Sequence, residues 1–187
     1  MKKQILTPRR SITTEIETLL NQQIDMEGKS SAYYLSMASW CDTQGYVNSA
    51  SFLYKHSEEE RQHMLKLFGY INDAGGHALQ PEIIGIKHKF KTLKEVFESI
   101  LDHELEVTKS INNIVDHCFK IKDFTTFQFL QWYVTEQREE ETLARRAVEL
   151  FDIIGEEGIG LWTIDQEIGK LDGFAAESGP DNLDENN

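Results

Sequence analysis

The chain is short of the residues that interrupt helices. It has three prolines in 187 residues, and proline removes a backbone donor and clashes with the preceding turn. So few breakers argue against a loop-rich or all-β fold. Cysteine is almost as scarce: Cys41 and Cys118 stand far apart with no C-x-x-C pair, which excludes a zinc knuckle or a thioredoxin-type redox motif. Two isolated thiols fit a reducing cytoplasm, where a buried cysteine behaves as a small apolar residue. No stretch approaches the roughly 18 apolar residues that span a bilayer. The basic start, Met1 to Arg10, has no apolar run behind it, unlike a secretory signal. Positive charge is in deficit, 19 Lys and Arg against 32 Asp and Glu, a formal net charge of −13. Such a surface repels phosphate backbones and attracts cations. The expectation is a cytoplasmic chain that binds neither nucleic acid nor membrane.

What is present is helical periodicity over a length that suits one domain. A first helix is predicted from about Ser11 to Trp40, with Ile12, Ile16, Leu19 and Leu20 at three- and four-residue steps, and a break at Gly45. A second runs from about Asn48 to Ala74 and ends at Gly75-Gly76, since glycine accepts the left-handed conformation common past a helix end. From Gly76 to Lys91 no helical period is sustained. So long a connector is natural if it travels the length of a bundle and joins two helices that point the same way; a strand pairing through Ile83-Ile84 is the plain alternative. Thr92-Leu93-Lys94-Glu95 has the S/T-x-x-E form that opens a third helix. Asp123 caps a fourth that ends near Gly155, and a short amphipathic piece follows from Leu161 to Leu171. Residues 1–10 read as an extension, 11–171 as the domain, and 172–187 as an acidic, disordered tail.

The informative feature is where certain acids fall. In the first helix the apolar stripe steps through Ile16, Leu19, Gln23, Glu27, Tyr34 and Ala38, so Glu27 lies on the buried face. In the second it steps through Phe52, His56, Glu60, His63, Leu67 and Tyr70. In the third, Phe97, Ile100, Glu104, Ile111 and Val115 share a face. In the fourth, Phe127, Leu130, Val134, Gln137, Glu140 and Ala144 do. Each helix therefore points an acid inward near its middle. A buried unpaired carboxylate costs several kcal/mol, roughly, and no matching inward Lys or Arg is visible. Cations from solution are the simplest compensation. Hard oxygen ligands with one imidazole suit iron or manganese, and zinc also binds such sets. Glu60-x-x-His63 puts two ligands one turn apart on one face, and single glutamates on two helices plus Glu-x-x-His motifs on the other two form the di-iron carboxylate pattern. Here Gln137-x-x-Glu140 stands where the second motif would be.

These residues resemble the bacterial non-haem ferritins. The likeness runs from about Ser11 to Leu171. It is carried by Asn21 to Glu27, by Ser39-Trp40-Cys41, by His56-Ser57-Glu58-Glu59-Glu60-Arg61-Gln62-His63-Met64, and by Phe127-Gln128-Phe129-Leu130-Gln131-Trp132-Tyr133-Val134-Thr135-Glu136-Gln137-Arg138-Glu139-Glu140-Glu141. The resemblance implies an all-α, ferritin-like four-helix bundle with a long crossover and a short fifth helix. It implies a ferroxidase that turns Fe(II) into Fe(III) with oxygen or hydrogen peroxide and stores the product in a hollow cage of about two dozen identical subunits. Glu27, Glu60 and His63 would bind the first iron. A bridging Glu60 with Glu104 and Glu140 would bind the second, and Gln137 would be a nearby hydrogen-bonding or weak ligand. Glu59, Glu136, Glu139 and Glu140 match a third iron site. Tyr34 matches a tyrosine that hydrogen-bonds a ligand or supplies an electron.

Plain readings stand beside these. Without the resemblance, Glu59, Glu136 and Glu139 are ordinary exposed acids, Tyr34 is a core tyrosine, and His56, His103 and His117 are surface or packing residues. The position after the bridging glutamate, a methionine in haem-bearing relatives, is Arg61, so no haem is expected. A DNA-protecting mini-ferritin would place its ligands between subunits. The alternative function is a di-iron oxidase or peroxidase of the same superfamily that stores no mineral. Glutamine in place of a second Glu-x-x-His weakens the second iron's ligand set, which suits a metal that moves on after oxidation.

Overall fold

In the computed structural model, which describes residues 10–171, helix α1 (Thr14–Gln44) begins where the Thr13 hydroxyl accepts the Ile16 N–H at 3.2 Å. That satisfies one of the donors every helix start leaves free. It ends at Gly45, whose φ of 86° is easy for glycine alone. Helix α2 (Val47–Asp73) follows at once, so α1 and α2 form an antiparallel pair. Helices α3 (Leu93–Ile121) and α4 (Phe124–Ile154) make the second pair, joined through Lys122 at φ 63° and capped by Asp123, which accepts the Thr126 N–H at 3.0 Å. The short α5 (Gly160–Ile168) closes the order.

Glu95 departs from its expected capping role. Thr92 accepts the Glu95 N–H at 3.1 Å as foreseen, but the Glu95 carboxylate takes the N–H of Lys91, one residue earlier, at 2.6 Å.

The connector between the pairs follows α1 from end to end. Ser11 donates its N–H to Ala74, the Asn21 side chain bonds the backbones of His77 and Leu79, and the Ser36 hydroxyl donates to the Lys87 carbonyl at 2.7 Å. Phe90 then packs against Trp40 with ring centroids 5.8 Å apart. The chain thus re-enters the bundle beside the far end of α1, and α3 runs parallel to α2. Ile83-Ile84 lies in this irregular strap; the described residues contain no strand. Beside the middle of α1 the strap comes so close that a Cβ at Gly28 would meet the Pro81 Cγ at 2.7 Å, which is why a glycine stands next to Glu27.

The core has two apolar blocks. One holds Met37, Leu53, Phe97, Phe151 and Ile164, and the other Ile16, Leu20, Leu67, Ile111 and Leu130. A layer of buried polar side chains belongs to the middle of all four long helices, including Gln23, Glu27, Glu60, His63, Glu104, Gln137 and Glu140. On α4 the inner face passes through Tyr133, which is fully buried, rather than the expected Val134, which is 36% exposed. Leu19, Tyr70, Val115 and Phe127 sit at the edge of their stripes, partly buried.

Helix α5 is anchored by one carboxylate. Asp165, buried, accepts from the backbone N–H and side-chain amide of Asn48 and from the N–H and hydroxyl of Ser49, at 2.7–3.2 Å. The two backbone N–H groups among these are donors that the start of α2 leaves free, so α5 supplies the cap that Tyr46 lacks. No helix among the described residues is long and apolar enough to cross a membrane. The predicted disordered tail, 172–187, and residues 1–9 of the predicted extension lie outside the described residues.

Candidate metal centre

The four mid-helix acids meet in the middle of the bundle. Glu27 and Glu104 are fully buried, and Glu60, Gln137, His63 and Glu140 are nearly so. One ligand atom each from Glu27, Glu60 and His63 fits within 4.8 Å. His63 Nδ1 stands 3.4 Å from Glu60 Oε2 and 4.0 Å from Glu27 Oε2. Glu27 Oε2 is buried without a hydrogen-bond partner, an arrangement that costs free energy unless something else takes its lone pairs.

Glu104 faces the same space from α3 and is held on both oxygens. The Tyr34 phenol donates to Oε1 at 2.6 Å, and the Gln137 amide donates to Oε2 at 2.7 Å. Tyr34 is thus a core tyrosine whose hydroxyl also reaches a mid-helix carboxylate. Gln137 is close enough to orient Glu104, as a hydrogen-bonding neighbour.

The electrostatics favour a cation. No Lys or Arg is buried among the described residues. Burial, followed by the charges of Glu27 and Glu104, pushes the Glu60 carboxyl well above its ordinary range. Glu104 is pushed up to about 7, by burial first and then by Glu140, against the lowering effect of its bonds to Tyr34 and Gln137. Burial and nearby carboxylates raise the Tyr34 phenol as well. Packed carboxyls keep protons at neutral pH when nothing else neutralises them, and a bound multivalent cation reverses that preference. The donor set fits hard metal ions: carboxylate oxygens with one imidazole and one carboxylate oxygen unclaimed by the protein.

A second group lies beside the first. His56 Nδ1 is 3.1 Å from Glu140 Oε2 and 3.4 Å from Glu59 Oε2, and these three side chains also offer ligand atoms within 4.8 Å of one another. His56 is buried, which fits the packing half of the reading given above: its ring lies 4.1 Å from that of Phe52 and stacks on Tyr34, and it also faces two acids. Its signal was present in the sequence, on the inner stripe one turn before Glu60. Of the acids matched to a third iron position, Glu59 and Glu140 come together here. Glu136 turns toward His63, 3.9 Å from Nε2, and Glu139 is exposed and joins neither group. His103 is partly buried against Ser30, at 2.6 Å, and His117 lies 3.4 Å from Glu15.

A bundle whose four long helices each bury a carboxylate at mid-length, with His63 and His56 beside them, has a ferritin-like build with side chains that could hold a metal ion. Residues 17–154 match the model of the ferritin-like domain. Over 160 residues, 86% of this chain and 97% of the relative, it is 44% identical to a probable bacterial non-heme ferritin-like protein of Haemophilus influenzae. It is 43% identical to the bacterial non-heme ferritin of Campylobacter jejuni, covering 84% and 94% of the two chains. A solved open pore ferritin from the archaeon Archaeoglobus fulgidus superposes with a TM-score of 0.82 at 35% identity, over 85% of this chain and 98% of that one. The chain belongs to the ferritin family, among the bacterial non-haem ferritins.

Proposed function

We propose that this protein oxidises Fe(II) to Fe(III) at the centre between its four long helices and stores the ferric product as mineral inside a hollow cage of about 24 identical chains. The observation that carries the proposal is the buried, unpartnered Glu27 Oε2 beside Glu60 and His63, in a layer of carboxylates with no buried Lys or Arg among the described residues.

Iron is substrate and cargo here. Glu27, Glu60 and His63 take the first Fe(II). Glu60, turned between the two positions, takes the second with Glu104 and Glu140. Each Fe(II) gives up one electron, and dioxygen or hydrogen peroxide accepts the pair. Hard carboxylate oxygens favour the product because higher charge binds them better. Gln137 steadies Glu104 instead of offering a second imidazole, so the second iron is held by fewer strong donors and moves on toward the mineral. Glu59, Glu136, Glu139 and Glu140 serve a third iron position, with Glu139 at its exposed rim. Tyr34 holds Glu104 and is placed to supply an electron. No haem takes part, and neither nucleic acid nor membrane is a partner. Two buried free thiols suit a cytoplasmic setting.

The test is to add Fe(II) in air to the purified protein and resolve it by gel filtration, assaying iron and protein in each fraction. Many irons per chain co-eluting with a particle of several hundred kilodaltons is the expected result. About two irons per chain on a small oligomer would replace it with a di-iron oxidase or peroxidase that stores nothing.

A further inference from the structure

Gln23 is fully buried on α1, one turn before Glu27, and no ligand role falls to it. The Ser110 hydroxyl of α3 donates to its Oε1 at 2.5 Å. Its Nε2 donates to Glu27 Oε1 at 2.6 Å and reaches the Tyr133 oxygen at 3.3 Å. The amide has one workable orientation. Turned over, it would set a carbonyl oxygen against the Glu27 carboxylate, two acceptors facing each other in a site closed to water.

The consequence falls on Glu27. One of its oxygens is committed to Gln23, and the other is left without a protein partner, 4.0 Å from His63 Nδ1. A carboxylate with both oxygens free can close on a metal ion with both. With Oε1 held by a pinned amide it offers Oε2 freely, and closing with both would strain or break the bond to Gln23. We propose that Gln23, set by Ser110, is a positioning residue that makes Glu27 a one-oxygen ligand of the first metal ion and so fixes how tightly, and with what coordination number, that ion is held. The inference rests on the metal-centre reading given above. Partners that orient a ligand without touching the metal are commonly worth tenfold or more in affinity.

Co(II) tests this without any oxidation step, because the intensity and position of its visible absorption report coordination number. Wild-type protein and the variants Gln23→Leu, Ser110→Ala and Ser110→Thr are titrated with Co(II), and each is melted thermally. Gln23→Leu is expected to weaken the first Co(II) about tenfold and to lower the absorption per bound ion, as Glu27 closes with both oxygens. Ser110→Ala should move both readouts the same way by less, and Ser110→Thr, which keeps the hydroxyl donor, should restore them. A purely structural glutamine would shift the melting temperature alone. Wild-type affinity and spectrum in folded Gln23→Leu would overturn the proposal. If that variant fails to fold, wild-type behaviour in Ser110→Ala overturns it instead. Absence of Co(II) binding in the wild type would overturn the metal-centre reading, and this inference with it.

Discussion

The Tyr34 phenol donates a 2.6 Å hydrogen bond to Glu104 Oε1 across 70 residues of sequence, joining the first helix pair to the second inside the metal layer. This bond favours the ionised carboxylate, opposing the rise that burial and Glu140 impose. Removing it in Tyr34→Phe should make Glu104 harder to ionise. The expected outcome is a rise in the pH at which iron oxidation reaches half its maximum, with oxidation at pH 6.5 slowed about tenfold, since a bond to a charged group is worth roughly 1.5–3 kcal/mol. Stopped-flow oxidation over a pH series checks this. An unchanged profile with a slowed rate at every pH would assign Tyr34 to electron supply alone.

Metal-free protein should lose stability as the pH rises toward neutrality. Glu104, about 7 in the folded chain against an ordinary 4.5, and Glu60, raised well above 4.5, hold protons in the folded state that the unfolded chain releases. Their favourable contribution is complete below about 4.5 and is lost as the pH climbs through about 7. For Glu104 the difference corresponds to about 3 kcal/mol at most. Thermal melts in chelator at pH 5 and pH 7.5 should show the lower melting temperature at pH 7.5. Glu104→Gln should shrink the gap, and saturating Zn(II) should abolish or invert it.

Glu60, buried beside Glu27 and His63, is the carboxylate proposed above to serve both iron positions. In Glu60→Gln the fast phase of Fe(II) oxidation should fall by about a hundredfold, while the metal-free melting temperature stays level or rises because one of several mutually repelling groups is gone. Stopped-flow absorbance and calorimetry report the two quantities separately. Fast oxidation surviving in a folded variant would remove Glu60 from the centre.

Asp165 predicts a stability effect far from the metal layer. Replacing it with alanine strands four donors at the start of α2 and should cost about 2–4 kcal/mol. Helix α5 should then loosen, opening the 155–160 turn to limited proteolysis and impairing assembly, which native mass measurement would detect. Fe(II) binding by the remaining bundle should survive, because Asp165 touches none of the metal-facing residues.

Much of this was legible in the sequence because a helix repeats on itself. Glu60 and His63, three residues apart among apolar neighbours, could face only inward, and the same holds for Glu27 and Glu104. The long connector announced a crossover because so long a stretch without helical period is natural only if it travels the length of a bundle. Periodicity failed where two adjacent residues were both apolar: it chose Val134 over Tyr133, and only packing against the facing helices separates them. For His56 it placed the ring on the inner stripe but could not say which acids it faces, since Glu140 comes to it from α4, beside Glu59 of its own helix. The Gln23–Ser110 bond spans 87 positions, and no local spacing encodes a pairing of that kind. The likeness matched Glu136 and Glu139 to one position, but the direction each takes at the rim, Glu136 toward His63 and Glu139 outward, is set by packing and not by the motif.

The polar layer between two apolar blocks has a last consequence for how the bundle opens. Helices ordinarily fray from their ends, where hydrogen bonds are fewest. Here the ends lie in well-packed apolar blocks, and repulsion concentrates at mid-length. In the absence of cations the central amides of α2 and α3 should exchange with solvent sooner than those flanking them, as a fault line across the molecule, and a captured metal ion would weld it shut.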